Sequence, residues 1–208
     1  MPLIIYKLGG SLLTLSDLKD RLATLLEQPV PLLPQAGKNA VLDRAVLVGG
    51  GESADRVREW DRRYHFDTET SHDLALRAMG LNGRLVSALL PNAQLVSTKG
   101  AIRSASARDA IAVLDPVIVL EQAERQSAER LPRSWDVTSD SIAAFLAVHW
   151  RAAALVLIKS ASKPKSQELK SAARRGLVDK YFSQLSPRIP IVAWANLRST
   201  RSAIERWL

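Results

Sequence analysis

The chain has 208 residues, 47% of them hydrophobic and 24% charged, with no cysteine and a formal net charge of +8. That length suits one domain with a sizeable core, here taken as residues 1–208, and the lack of cysteine excludes a disulfide framework and thiolate metal sites. The start MPLIIYKLGG has neither a cationic lead nor a long apolar run, and no stretch reaches the roughly 18 apolar residues of a membrane span, so a soluble, cytoplasmic protein without a signal peptide is expected.

Leu3–Lys7 is a short apolar run suited to a buried strand. Ser16-Asp17 opens a predicted helix running to about Gln28, with Leu18, Leu22, Leu25 and Leu26 on one face. The Pro-rich stretch EQPVPLLPQAGK, residues 27–38, reads as loop. Ala45–Val48 is a second strand, and helices are predicted over Glu52–Arg62 and Thr68–Leu90. Gln94–Ser97 and Pro116–Leu120 read as short strands, Ser139–Arg151 as a helix, and Ala153–Ile158 as a buried strand. A basic helix over Gln167–Arg175 and a strand at Ile189–Ala193 follow. Strands alternating with helices imply an α/β protein with a mainly parallel sheet.

Charge is distributed unevenly. Residues 151–208 carry 12 basic and 3 acidic side chains, whereas the first 150 residues have a net charge of −1. A basic end of this kind binds nucleic acid, an acidic membrane or a polyanionic small molecule, or is a solvated face. Nucleic-acid surfaces interleave cations with stacking aromatics. Lys163–Arg175 contains no aromatic residue, so neither nucleic acid nor membrane is expected as a partner.

Two strands run into glycines and then into a helix: YKLGGSLL from Tyr6, and AVLVGGGESAD from Ala45. Such a junction presents unpaired backbone N–H groups and the positive end of a helix at the sheet's carboxyl edge, which suits anions. Tight turns also use glycine for steric reasons alone. Two junctions in one domain suit two phosphate groups held face to face, as phosphoryl transfer requires. On this reading a methyl group at Gly50 would be pushed toward a bound anion. Lys7 ends the first strand, where its ammonium can reach a phosphate or simply extend to solvent. The spacing matches neither G-x-x-x-x-G-K-[ST] nor G-x-G-x-x-G. In LPRSWDVTSDSIAAFLAVHW, Thr138 or Ser139 can cap the following helix, with Asp136 before it and Asp140 in its first turn. Acids there are ordinary helix-dipole partners, or Asp140 accepts from active-site ammonium groups and orients Lys7.

The order KLGGS, VGGG, a late Ser/Thr-Asp helix start and a following apolar strand resembles the amino acid kinase superfamily. Within it, GGGESADRVREWD, SHDLALRAMG, LPRSWDVTSDSIAAFLA and LVDKYF look most similar to the aminomethylfuran phosphate kinases of methanofuran synthesis. The resemblance covers nearly the whole chain. It implies a three-layer αβα sandwich binding ATP with Mg²⁺ at the carboxyl edge of the sheet, a small phosphorylated acceptor, and a homodimer or larger homo-oligomer. It also implies that Lys7 contacts the transferred phosphoryl group and that Gly9, Gly10 and Ser11 hold ATP phosphates. Gly49, Gly50 and Gly51 would surround the acceptor phosphate, and Asp140 would organise the lysines, with Asp136 and Ser139 nearby. Lys159, Lys163 and Lys165 compete for the role of second lysine on the ATP side. The superfamily's D-G-[VI]-[YF] stretch is replaced here by KSASKPKSQ, which leaves the adenine pocket undefined.

On the acceptor side, His72 reads either as a donor to the acceptor or as a satisfied helix residue. Asp55 and Arg58, one turn apart, read as amine and phosphate contacts or as a surface ion pair. Trp60, Trp150, Trp194 and Trp207 read as core or interface residues, while Trp135 is placed to face an aromatic acceptor. An ionised phosphate acceptor requires no strong general base, and no carboxylate cluster suggests a protein-built metal cage. The alternatives are another small-molecule kinase of this superfamily (uridylate, isopentenyl phosphate or amino acid acceptor), a non-catalytic ligand-binding member, and a nucleic-acid binder.

Overall fold

The computed structural model describes residues 1–33, 42–165 and 167–208, so Pro34–Lys38 of the expected Pro-rich loop lie outside the described residues. Its elements, in chain order, are β1 (Leu3–Leu8), α1 (Leu18–Leu26), β2 (Asp43–Val48), α2 (Gly51–Tyr64), α3 (Thr68–Leu89), β3 (Ala93–Val96), α4 (Lys99–Ser106), β4 (Ile111–Leu114), α5 (Pro116–Arg125), α6 (Ser139–His149), β5 (Ala154–Lys159), α7 (Leu169–Arg174), α8 (Phe182–Leu185), β6 (Val192–Asn196) and β7 (Glu205–Arg206). A 3-10 turn over Gly10–Thr14 follows β1. The strands form one sheet in the order β3-β4-β2-β1-β5-β6-β7, parallel except for the short terminal β7.

The period of two within each strand sends alternate residues to opposite faces. Leu3, Ile5, Ala45, Leu47, Leu155 and Leu157 join one apolar layer with residues of α3, α5 and α6. Ile4, Tyr6, Leu8, Val46, Val48, Val156 and Ile158 join the other, with Leu18, Leu22, Leu25 and Leu26 of α1. The result is a three-layer αβα sandwich. Helix α6 is buried from Ser139 to Ala147, as expected for a central helix that is apolar all round.

The chain steps from β1 to β2 on one side, and returns through α6 to β5 on the other. Strand order therefore reverses at β1, and a crevice opens there beyond the carboxyl ends of the strands.

Pro116–Leu120, read as a strand, begins helix α5 instead. The Asp115 side chain caps it, accepting from Val117 N at 3.2 Å, and Pro116 occupies the first turn, where its missing N–H costs nothing. Its apolar residues are those of a buried helix, which a short run does not distinguish from a strand. The buried strand before it is the four-residue β4, which, like α4, has no counterpart among the elements expected from the sequence. The basic helix is cut to Leu169–Arg174, and the late strand falls at Val192–Asn196, three residues further on than expected. Of the tryptophans read as core or interface, Trp150, Trp194 and Trp207 are buried and Trp60 is exposed. No helix among the described residues is long and apolar enough to cross a membrane.

Candidate active site

Lys7 and Lys159 lie on adjacent strands and on the same face of the sheet, because Lys7 pairs with Leu157 and Lys159 is two residues further along β5. Helix α6 crosses that face and brings Asp140, in its first turn, between them. Lys159 Nζ donates to Asp140 Oδ2 at 2.6 Å. Lys7 Nζ lies 2.9 Å from Oδ1, an ion pair outside hydrogen-bond geometry. All three groups are largely buried. Burial alone would raise the Asp140 carboxyl, but the Lys159 and Lys7 ammonium groups outweigh it and hold the pKa at about 2. Burial brings the Lys159 ammonium down to about 8, against the opposing pull of Asp140.

The two glycine junctions touch each other directly. A Cβ on Gly10 would lie 2.2 Å from Gly51 N, and one on Gly51 would lie 2.6 Å from Gly10 O. Gly51 also has φ +49, in the left-handed region that favours glycine. The Gly50 Cβ would meet Ala54 Cβ at 2.3 Å, so a methyl group there strikes the first turn of α2 and not the space for an anion.

The second loop is fastened from behind by Asn82 of α3, which was not singled out in the sequence. Its Nδ2 donates to Gly49 O at 2.8 Å and Gly50 O at 2.7 Å, and its Oδ1 accepts from Ser53 Oγ at 3.1 Å. A polar residue at a buried helical position is the signal that marks it. Asp179, within the LVDKYF stretch, likewise went unrecognised. Its carboxylate accepts from Thr138 N (3.0 Å), Thr138 Oγ1 (2.9 Å), Ser141 N (2.9 Å) and Phe182 N (3.0 Å), and from Ser141 Oγ. It is the cap of α6, supplied from a distant segment, since neither Thr138 nor Ser139 caps the helix with its own side chain. Burial, then the nearby Asp140 charge, pushes the Asp179 carboxyl up, against these hydrogen bonds.

A cleft of about 340 Å³ runs from this centre in two directions. One end holds Ser11, Ser139, Lys159, Ser160, Gly176 and Trp194. The other is walled by α2, α3 and the loop before α6, including Arg58, Asp61, Phe66, His72, Arg133 and Trp135. His72 Nε2 lies 2.9 Å from Arg133 Nη1. Arginine only donates, so that nitrogen accepts and a neutral ring carries its proton on Nδ1. Burial, then the Arg133 charge, keeps the His72 pKa below its usual value. Arg133 in turn forks onto the buried Glu124, at 2.7 and 3.2 Å.

The region from Leu3 through Lys159 therefore carries a lysine–aspartate–lysine cluster where two glycine loops meet. A sequence profile of the amino acid kinase family matches residues 2–163. The chain belongs to the amino acid kinase family. It is 30% identical over 142 residues, 68% of its length, to the [5-(aminomethyl)furan-3-yl]methyl phosphate kinase of Methanocaldococcus jannaschii, and it spans 58% of that relative's length. Among solved structures it resembles the uridylate kinase of Archaeoglobus fulgidus (TM-score 0.62, 16% identity, 99% of this chain and 91% of that one). It also resembles the UMP kinase of Ureaplasma parvum (TM-score 0.63, 15% identity, 97% and 92%). These structures share its fold.

In this amino acid kinase family member, Gly9, Gly10, Ser11, Gly50, Gly51, Ser139 and His72 line the cleft with Lys7 and Lys159, and Gly49 stands directly behind them. Four candidates lie elsewhere. Asp55 is an exposed partner of Arg58 at 2.6 Å, the plain surface pair. Asp136 is an exposed partner of Lys180 at 2.8 Å. Lys163 turns to Glu205 at 2.9 Å and to Arg206 O at 3.0 Å, and Lys165 is exposed. Of the three rival lysines, only Lys159 meets Asp140, because it alone is still on the strand and on the inward face.

Proposed function

We propose that this protein is an ATP-dependent kinase acting on a small phosphomonoester, with [5-(aminomethyl)furan-3-yl]methyl phosphate as acceptor and the corresponding diphosphate as product, in methanofuran-type cofactor synthesis. The observation that carries this reading is the buried Lys7–Asp140–Lys159 cluster at the contact of two glycine loops. Similarity to a kinase of that acceptor supports its identity.

In this scheme an acceptor phosphate oxygen attacks the γ-phosphorus, the bond from that phosphorus to the β–γ bridging oxygen breaks, and ADP departs. The attacking oxygen is already ionised near neutral pH, so no base has to remove a proton. Lys7 and Lys159 would neutralise charge on the transferred group, and Asp140 would hold both in place. The N–H groups of the Gly9–Ser11 and Gly49–Gly51 loops would hold phosphate oxygens at each side. Magnesium would enter with ATP and would supply charge neutralisation on the phosphates. Residues 1–208 would act as one unit.

The test is incubation of the purified protein with MgATP and separate acceptors, read by product mass: the aminomethylfuran phosphate, its dephosphorylated alcohol, UMP and N-acetylglutamate. The expected product is the furan diphosphate, with none from the alcohol. Phosphorylation of the carboxylate acceptor alone would overturn the reading.

A further inference from the structure

Each lysine and arginine lining the cleft is in an ion pair with a carboxylate that does not line it, the two lysines sharing one. Lys7 and Lys159 pair with Asp140, Arg133 with Glu124 and Arg58 with Asp55. Among the described residues the cleft lining contains one carboxylate, Asp61 of α2, and Asp61 forms no ion pair there. Its one direct side-chain hydrogen bond is from a neutral donor, Trp135 Nε1 to Oδ2 at 2.8 Å. That bond, foremost, keeps its carboxyl below the usual range. Beside it the buried Ser71 hydroxyl also lowers the carboxyl. Phe66 supplies aromatic wall at the same end, where the Trp135 ring carries the Arg58 guanidinium over it, 4.6 Å from its centroid. A carboxylate in no ion pair, with aromatic surface beside it, suits an organic ammonium group on a flat ring.

We propose that Asp61 is the residue that recognises the acceptor's amine, so that the enzyme selects small phosphomonoesters carrying a primary ammonium group at the end remote from the phosphate. The proposal rests on the phosphomonoester reading given above. It moves the amine contact from Asp55, which lies exposed on its own ion pair, to a residue facing the cleft. Asp61 touches the part of the acceptor that does not react, so it determines specificity and takes no part in the chemistry.

The experiment compares kcat/KM for the aminomethylfuran phosphate and for its analogue with methyl in place of aminomethyl, in wild type, Asp61→Asn and Asp61→Glu. Asparagine can still accept the Trp135 indole hydrogen, so the wall is kept while the charge is lost. Wild type should prefer the amine by about 10- to 100-fold, expressed mainly in KM. Asp61→Asn should bring that ratio close to one, and Asp61→Glu, which keeps the charge, should retain part of it. If wild type showed no preference, or if Asp61→Asn kept it in full, Asp61 would be only an anchor for Trp135 and the phosphomonoester reading would stand. Turnover of neither phosphomonoester by wild type would remove both. Circular dichroism on each variant checks folding, and should Asp61→Asn fail to fold, the wild-type and Asp61→Glu ratios decide.

Discussion

At the β1–β5 end of the cleft two ammonium groups share a single carboxylate, leaving one positive charge in excess in a largely buried place. At the α2–α3 end Arg133 is paired with Glu124 and Glu69 and Arg58 with Asp55, and Asp61 in the cleft lining is in no ion pair. On the proposed function, the first end would take an anion and the second a cation. A ligand that is phosphate at one terminus and ammonium at the other fits that polarity along its length, whereas a nucleoside monophosphate matches it only at the phosphate. Under the proposed function, charge along the cleft would separate acceptors that the shared fold does not.

The comparison breaks most visibly at the lysine cluster. Lys7→Ala should lower turnover by about 10²-fold or more, the effect of losing one preorganised charge-stabilising donor, while the protein still folds. Asp140→Asn should lower turnover as sharply and also reduce unfolding free energy by about 3–5 kcal/mol, since two buried ammonium groups lose their counter-charge. A role as helix cap alone would cost only about 1 kcal/mol. Kinetics and denaturant titration on the same preparations distinguish these; a stable, fully active Asp140→Asn would refute the charge-excess account.

A smaller effect is expected behind the second glycine loop. Asn82→Ala strands two loop carbonyls and should cost about 1–3 kcal/mol of stability and roughly tenfold in turnover, through misdirected N–H groups. Unchanged turnover would mean that the Gly10–Gly51 contact alone holds the loop.

The mildest perturbation is pH. Lys159 is fully charged well below its pKa of about 8, so MgATP affinity should decline as pH rises through that value. Stability should move the other way: the unfolded chain binds more protons at this residue between about 8 and 10.5, so unfolding free energy rises with pH across that window. For Asp140 the folded pKa is depressed, so its stabilising contribution is present above 3.8 and is lost as pH falls toward 2. Calorimetric MgATP binding and thermal melts across pH check both signs; an affinity flat from pH 7 to 9.5 would show that Lys159 carries no titrating charge there.

The two ends also differ in how far they can be read from the sequence. Lys7, the glycines, Asp140 and Lys159 belong to local patterns, strand ends and helix starts, and the structure assembles them because parallel strands and one central helix bring those termini to a common edge. The α2–α3 end depends on contacts far apart in the chain: Arg133 reaches back 61 residues to His72, and Trp135 reaches 74 to Asp61. No spacing rule encodes such pairs. Asn82 and Asp179 escaped notice for the same reason, joining segments 33 and 41 residues away. The misread strand at Pro116–Leu120 is a different failure, in which a short apolar run outweighed the cap signal of Asp115 and Pro116.

The meeting of Gly10 and Gly51, backbone against backbone, has a consequence for how such a protein changes over generations. Main chain sets the separation of the two loops, and no side chain at the contact can be enlarged or trimmed to adjust it. Alanine at either position collides with the opposite loop, so both should be intolerant in any mutational library although neither has a side chain to lose. On the proposed function, adaptation to a new acceptor would thereby be directed to the far wall of the cleft, where the side chains of Asp61, His72 and Trp135 can change, Asp61 together with its partner Trp135, while the distance between the two loops stays fixed.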